Sequence, residues 1–230
     1  MSAQRRRTAR DRRRRTHGQN LLADPGVVTR LLDRLQLADD ELVVDIGAGR
    51  GALTLPLARA GAKVMAIERD RDFVRALQRD LEQEGLAGRV QLRRADLREV
   101  SWPTRPYRVV ASPPYALSTS LLARLLDDPS RGPSRADLLL QWEVARKHAR
   151  QPPATLRTAG WAPWWTFTLA ERVPREAFRP VPAVDSAWLT VERRDPPVLP
   201  ESLAGRFPQL LRPAWEAASS RTGTGPGPRR

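Results

Sequence analysis

The sequence predicts an α/β protein with a doubly wound, mostly parallel sheet of seven strands. Short apolar runs rich in Val, Ile and Leu recur along the chain, as is typical of strands that are buried on both faces. Segments with helical spacing of apolar residues separate most of these runs, and Gly or Pro often follows them. Strands that alternate with helices form parallel sheets, which bind ligands at the carboxyl ends of their strands.

These patterns place the elements along the chain. The Asp-Pro pair at residues 24–25 provides the cap and first turn of a helix that extends to Leu35. Further helices are predicted over residues 71–84 and 144–150, and another ends at Leu126. The seven predicted strands comprise residues 42–46, 63–67, 90–92, 108–111, 138–142, 166–173 and 188–191.

A glycine-rich turn follows the first of these strands. Gly47, Gly49 and Gly51 come directly after Ile46, and a helical pattern begins at Ala52. A strand, a glycine turn and a helix in this order place backbone N–H groups against a ligand, and glycine allows the close approach because it has no Cβ. Glycine turns of this kind occur in sites for dinucleotides, in sites for nucleotides and in places where the chain is only tightly packed, so the pattern alone does not identify the ligand.

Acidic residues after the strands narrow the choice of ligand. Glu68 ends the next strand about 20 residues beyond the glycines, where an acid grips a ribose diol. The third glycine comes one residue earlier than the dinucleotide fingerprint requires. Together with Asp45, this spacing fits S-adenosylmethionine better than NAD. Asp96 and Ser112 also follow predicted strands, so these side chains are expected at one edge of the sheet.

Composition and charge limit the class of protein. The chain of 230 residues has a net charge of +14 and contains no cysteine, which excludes disulfides and thiolate metal sites. No apolar run reaches the length of a membrane span, so we expect a cytoplasmic protein. His17 and His148 are too far apart in sequence to argue for a metal, and Trp161, Trp164 and Trp165 are expected to pack in the core.

The first 15 residues contain eight arginines and one aspartate. Such a basic block favours a polyanion as partner, and because it has no amphipathic apolar face it fits nucleic acid better than a membrane. The predicted RNA-binding residues are Arg5, Arg6, Arg7, Arg10, Arg12, Arg13, Arg14 and Arg15.

The most specific motif is Ser-Pro-Pro-Tyr at residues 112–115, directly after the fourth strand. The exocyclic amine of adenine is a poor nucleophile because its lone pair is delocalised into the ring. The side-chain oxygen of Ser112 and the carbonyl of Pro113 could accept its two N–H groups and localise that lone pair. Tyr115 could stack on the base, a contact worth roughly 1–3 kcal/mol.

Taken together, these residues resemble the rRNA adenine-N6 methyltransferases, specifically the Erm type, which methylates one adenosine of 23S rRNA. The resemblance extends over roughly residues 17–194. The resemblance rests on four sequence motifs, at residues 19–22, 45–51, 112–115 and 173–186. It implies a Rossmann-like class I methyltransferase fold, S-adenosyl-L-methionine as cofactor, and resistance to macrolides, lincosamides and streptogramin B. It further implies a monomer that acts on naked or pre-assembly 23S rRNA.

The resemblance assigns roles to single residues. Asn20 and Leu22 would contact the methionine end of the cofactor with Gln19 beside them, Glu68 would hold the ribose, and Asp96 would take the adenine amine. Gly47 would lie under the cofactor, and the set is completed by Ala48, Gly49, Arg69, Leu97 and Ser112.

The same resemblance gives the catalytic set Ser112, Pro113, Tyr115 and Phe178. Phe178 would close the second face of a flipped adenine, since two aromatic faces can offset a flipping cost of a few kcal/mol. Ser112 stands where the family usually has Asn, so mono- versus dimethylation stays open.

We expect three parts in the chain: a disordered Arg-rich arm over residues 1–16, the methyltransferase domain over residues 17–194, and a reduced C-terminal segment with a flexible tail over residues 195–230. Family members carry a helical C-terminal domain that is expected to be reduced or lost here, with the arm taking over part of its RNA affinity. The prolines expected to interrupt any long helix in the last part are Pro196, Pro197, Pro200, Pro208 and Pro213.

Three alternatives remain open at this stage. The small-subunit (16S) rRNA adenine dimethyltransferase shares the fold and the chemistry. A DNA adenine methyltransferase could share residues 112–115 but would not explain residues 178–186. A non-catalytic RNA- or DNA-binding relative, such as a transcription factor of this fold, would be distinguished by failing to bind S-adenosylmethionine.

Overall fold

The computed structural model describes residues 20–221. One sheet contains the seven strands β2 (Leu42–Ile46), β3 (Lys63–Glu68), β4 (Val90–Arg94), β5 (Arg108–Ala111), β6 (Arg135–Gln141), β7 (Trp165–Val173) and β9 (Ser186–Arg193). Their order in the sheet is β4-β3-β2-β5-β6-β9-β7. Strands β2 to β6 pair in parallel, and β9 runs antiparallel to both of its neighbours. This sheet confirms the predicted mostly parallel, seven-stranded architecture.

Helices cover both faces of the sheet, as the doubly wound class requires. They are α1 (Pro25–Leu35), α2 (Thr54–Arg59), α3 (Arg71–Gln83), α4 (Ser118–Leu126), α5 (Trp142–Ala149), α6 (Leu156–Trp161) and α7 (Phe207–Arg221). Side chains alternate between faces along a strand, so Val43 of β2 packs with α1 to α3 and Val44 packs with α4 and α6. The two hydrophobic clusters hold the carboxyl ends of β2, β3 and β5 in register.

A separate two-stranded sheet ties the start of the described chain to the region after β7. Its strands are β1 (Leu21–Leu22) and β8 (Phe178–Arg179), and they pair antiparallel with Leu22 opposite Phe178. The N–H of Ala23 donates to the carbonyl of Ala177 at 2.8 Å. This pairing places residues of two predicted motifs side by side at the edge of the large sheet.

One expectation about the C-terminal part is wrong: a helix of 15 residues, α7, forms despite its prolines. Pro208 lies in the first turn, where its missing N–H would have no partner in any case, and Pro213 removes only one further hydrogen bond. Phe207 packs edge-on against the ring of Trp164, with ring centroids 5.7 Å apart. Packing against the body of the protein therefore outweighs the local cost of Pro213.

Three tryptophans and His148 pack inside the protein. Trp161, Trp164 and Trp165 are buried in the core, which confirms the packing role expected of them. His148 lies 2.9 Å from the hydroxyl of Thr158, at the start of the short helix α6, which the sequence patterns did not predict.

Candidate active site

The loop between β2 and α2 adopts a backbone that glycine favours. Gly47, Gly49 and Gly51 have φ angles of 78°, 55° and 82°, in the left-handed region. A Cβ on Gly51 would lie 2.5 Å from Leu77, so this third glycine allows the loop to pack on α3. A Cβ on Gly47 would lie 3.7 Å from the carbonyl oxygen of Ser112, so the glycine loop and the 112–115 motif are direct neighbours.

Glu68 is 4% exposed and braces this loop. The N–H of Gly49 donates to Oε2 at 2.9 Å, and the N–H of Asp70 donates to Oε1 at 2.7 Å. An ionised carboxylate has about four lone-pair sites, so each oxygen can still accept a bond from a ligand. The predicted sugar-binding acid therefore also holds the glycine loop in place, a task that the sequence did not reveal.

Asp45 lies at the end of β2 and is 1% exposed. The hydroxyl of Thr54 donates to Oδ2 at 2.6 Å, whereas Oδ1 is buried and has no hydrogen-bond partner among the described residues. Burial raises the pKa of Asp45 to about 7, the nearby Glu68 adds to this, and the bond from Thr54 opposes it. Asp45 thus presents a buried oxygen that a cationic group could satisfy.

Asp96 follows β4 and is surrounded by arginines. The guanidinium of Arg98 donates to both carboxylate oxygens at 2.9 and 2.8 Å, and a guanidinium nitrogen of Arg69 lies 3.5 Å from Oδ2. The hydrogen bonds from Arg98 hold the pKa of Asp96 well below its usual range. A ligand amine at Asp96 would share the carboxylate with these cations.

A cavity of about 490 Å³ opens where the carboxyl ends of β2 to β5 meet. It has the size of small-molecule sites. The predicted cofactor residues that line it are Asn20, Gly47, Gly49, Glu68, Arg69, Asp96, Leu97 and Ser112. Pro113, which the sequence assigned to catalysis, lines it as well.

Some lining residues were missed, and some predicted ones lie elsewhere. Leu21, Phe73 and Pro114 line the cavity without having been predicted. Leu21 stands in the predicted stretch 19–22 and could have been included on that ground, whereas Phe73 is brought in by the packing of α3. Leu22 and Ala48 instead line an adjoining cavity of about 450 Å³ that also contains Asp45.

Gln19 and the eight N-terminal arginines lie outside the described residues. Asn20, Leu21, Gly47 and Ser112 line both cavities and so form the boundary between them.

The 112–115 motif lies at this boundary. Pro113 is buried and Ser112 is half-buried, and the hydroxyl of Tyr115 lies 2.7 Å from the hydroxyl of Ser186 at the start of β9. This bond fixes the tyrosine next to the motif at residues 173–186. Phe178 is only 1% exposed and packs in the core with Leu22, so its ring does not face the cavities in this conformation.

The sheet order, the glycine loop and the acids at the strand ends define a Rossmann-like methyltransferase fold. The family model for ribosomal RNA adenine dimethylase matches residues 10–216, and this chain belongs to that family. Membership confirms the predicted fold class and the predicted cofactor, S-adenosyl-L-methionine.

Similar proteins agree with this assignment. The mycinamicin-resistance protein MyrB of Micromonospora griseorubida is 39% identical over 91% of this chain, which spans 63% of the length of that relative. An rRNA adenine N-6-methyltransferase of Corynebacterium diphtheriae is 35% identical over 89% of this chain and 78% of its own length. The crystal structure of the 23S rRNA methyltransferase ErmE superposes with a TM-score of 0.71 at 28% identity, and 91% of this chain and 93% of that chain are covered.

Membrane-spanning helices and metal sites were also sought in the described part of the chain. Within residues 20–221, no helix combines the length and the apolar character that crossing a membrane would require. The same part of the chain contains no cluster of three or more potential metal ligands.

Proposed function

We propose that this protein transfers a methyl group from S-adenosyl-L-methionine to N6 of a specific adenosine in 23S rRNA, and thereby confers resistance to macrolides, lincosamides and streptogramin B. The observation that carries the proposal is the position of the 112–115 motif at the boundary between the two cavities, where Ser112 forms part of both walls. The names of MyrB and ErmE support the choice of 23S rRNA and of resistance.

The residues of the cavity fit the cofactor. Glu68 retains acceptor sites for the two ribose hydroxyls, and Asp96 lies in the same cavity to accept from the adenine amine. Asn20 and Gly47 line both cavities and Leu22 lines the adjoining one, where the methionine end of the cofactor would lie. The remaining members of the proposed set are Gln19, Ala48, Gly49, Arg69, Leu97 and Ser112.

One oxygen of Asp45, which has no hydrogen-bond partner within residues 20–221, adds support for this ligand. Asp45 lines the adjoining cavity, whose wall also contains Arg50. A buried carboxylate in the same cavity as a guanidinium group suits an amino-acid headgroup, which carries an ammonium and a carboxylate. A nucleotide without such a headgroup would leave the Asp45 oxygen without a partner.

For the reaction, the chain would orient and activate the target amine. The oxygen of Ser112 and the carbonyl of Pro113 accept its N–H groups, which draws the nitrogen lone pair out of the ring and toward the methyl group that the cofactor supplies. Tyr115 stacks on the base and is held by Ser186. No strong base is needed, because the amine proton becomes acidic once the methyl group has moved and can then leave to water. Most of the rate comes from alignment, worth up to about 7–11 kcal/mol.

The proposal also covers the three parts of the chain, the form of the RNA substrate and the oligomeric state. The arm at residues 1–16 would bind RNA phosphates beside the methyltransferase domain at residues 17–194, and residues 195–230 would form a reduced C-terminal segment. The substrate would be naked or pre-assembly rRNA, and the protein would act as a cytoplasmic monomer.

The decisive experiment is methylation of naked 23S and 16S rRNA with labelled cofactor, followed by mapping of the modified base. We expect label on one adenosine of 23S rRNA. Label confined to 16S rRNA would support the small-subunit alternative, and cofactor binding without label on either RNA would contradict the proposed activity. Failure to bind the cofactor at all would favour a non-catalytic relative.

A further inference from the structure

The loop at residues 174–185, here called the rim loop, connects β7 to β9 beside the candidate active site. Since β9 is antiparallel to both β6 and β7, β7 runs parallel to β6 and its carboxyl end reaches the ligand-binding edge of the sheet. Arg179 of the rim loop lines the same cavity as Ser112. The rim loop therefore lies where an RNA that delivers a base to Ser112 must approach.

The rim loop exposes apolar side chains, which the rest of the described chain mostly buries. Val181 is 49% exposed and Val184 is 43% exposed. Within residues 20–221, only Val198, Leu203 and Leu210 are large apolar residues of comparable exposure. Neither valine has a role in binding the cofactor or in aligning the target amine.

Hydrogen bonds to Asp185 fix the backbone of the loop that carries the exposed valines. Pro182 is buried between them, and Asp185 closes the loop. One oxygen of Asp185 accepts the N–H of Arg175 at 3.0 Å, and the other accepts from the guanidinium of Arg172 at 2.9 Å. The carbonyl of Asp185 accepts the N–H of Trp142 at 2.9 Å. A loop held in this way can present apolar side chains without losing much conformational freedom on binding.

Three exposed arginines surround the valines. Arg172 pairs with Asp185 and Arg175 pairs with Glu176, yet both keep half or more of their side-chain surface exposed. Arg179 is also exposed, and its guanidinium donates to the carbonyls of Glu176 and Phe178. Exposed guanidinium groups suit the phosphates of a nucleic-acid backbone. Apolar side chains flanked by arginines are the combination with which proteins wedge open a stack of bases.

We propose that Val181 and Val184 enter the base stack of the RNA next to the target adenosine and fill the space that the flipped adenine leaves. Arg172, Arg175 and Arg179 contact the phosphates on either side. The inference rests on the proposed function, because it needs a base that is drawn out of a helix. The wedge lowers the cost of unstacking that base, which an adenosine in an open strand does not incur.

The test compares two RNAs and two variants. One RNA is a 23S rRNA hairpin in which the mapped adenosine is stacked, and the other is the same strand without its pairing partner. The variant V181A/V184A removes the apolar tips, and V198A removes an exposed valine remote from the rim loop as the matched control. All three side chains are exposed, so the fold is not at risk.

We expect V181A/V184A to lower kcat/KM on the hairpin by about tenfold and to leave the open strand unchanged. With 2-aminopurine at the target position of the hairpin, the fluorescence rise on binding is expected to shrink for this variant and not for V198A. Equal effects on both RNAs, or none, would overturn the wedge. If the unaltered protein methylates neither RNA, the proposed function fails first and the wedge fails with it.

Discussion

The two halves of the candidate active site are built in opposite ways. On the cofactor side, Asp45 and Glu68 are buried, and the backbone holds the carboxylate of Glu68 before any ligand arrives. On the RNA side, Val181 of the rim loop and Arg172 near the end of β7 are exposed. The first half is a pocket with its acceptors already placed, and the second is an exposed edge that carries arginines.

The difference follows from what each half would bind. A small ligand with several polar groups is bound tightly only when those groups meet acceptors that need little rearrangement. A folded RNA is large and polyanionic, so charge and exposed contact surface recruit it, and only one base needs an enclosed position. The 112–115 motif stands at the junction, where Ser112 belongs to the cofactor wall and Tyr115 bonds to Ser186.

The largest effect is expected at this junction. Replacing Ser112 and Tyr115 together by alanine should lower methyl incorporation into 23S rRNA by about a hundredfold or more, because one acceptor and the stacking face are lost together. Cofactor affinity, measured by calorimetry, should change only a few-fold. Y107F is the matched control, since its hydroxyl bonds to the carbonyl of Arg131 away from the site. Undiminished incorporation in the double variant would remove the proposed chemistry.

Next in size is a change confined to the cofactor side. E68Q should weaken binding of S-adenosylmethionine by about tenfold or more, because the amide NH₂ would face the N–H of Gly49 or Asp70 and one acceptor for the ribose would be lost. Calorimetry measures this, and RNA affinity in filter binding should stay the same. E84Q, which alters an exposed partner of Arg59, serves as control. A parallel loss of RNA affinity would contradict the separation of the two halves.

A smaller effect is expected from the arm on the RNA side. Deleting residues 1–15 should weaken binding to 23S rRNA by about tenfold near 0.15 M salt and flatten the dependence of affinity on salt, because fewer counterions are released. Binding isotherms at several salt concentrations provide both quantities. Cofactor affinity should not change. An unchanged salt slope would take the arm out of RNA recognition.

The cofactor half was easier to predict from sequence than the RNA half. Gly47, Glu68 and Asp96 each follow an apolar strand at a recognisable spacing, and strand order alone brings them to one edge. Nothing local in the sequence shows that Glu68 also braces the N–H of Gly49, since that bond depends on how two loops meet.

The RNA half depends on long-range packing. Tyr115 meets Ser186 only because β9 runs back along β6, a step that periodicity does not reveal. Phe178 shows the same dependence: its motif was recognisable, but the pairing of Leu22 with Phe178 buries the ring. Its role as the second stacking face stays a prediction. Helix α7 was misjudged because its proline count was considered without the contact between Phe207 and Trp164.

The smallest expected effect is on the stability of the protein, and it tests whether Asp45 is buried in the cofactor half before the cofactor binds. Burial raises the pKa of Asp45 from its ordinary value of 3.8 to about 7, so between these values the folded protein holds a proton that the unfolded chain releases. The free energy of unfolding should therefore fall as the pH rises from about 4 to about 7. Because one pKa unit corresponds to about 1.4 kcal/mol, the change should amount to a few kcal/mol at most.

D45N should flatten this slope in urea unfolding measured at pH 5 and pH 8, with D39N as an exposed control. The cofactor sharpens the test, since an ammonium group beside the unpartnered oxygen would favour the ionised carboxylate. Cofactor affinity of the unaltered protein should then rise with pH over the same range, and that rise should be absent in D45N. If neither the free energy of unfolding nor the cofactor affinity of the unaltered protein changes with pH, Asp45 is solvated or paired in solution. The cofactor pocket would then contain one buried acid, Glu68, instead of two.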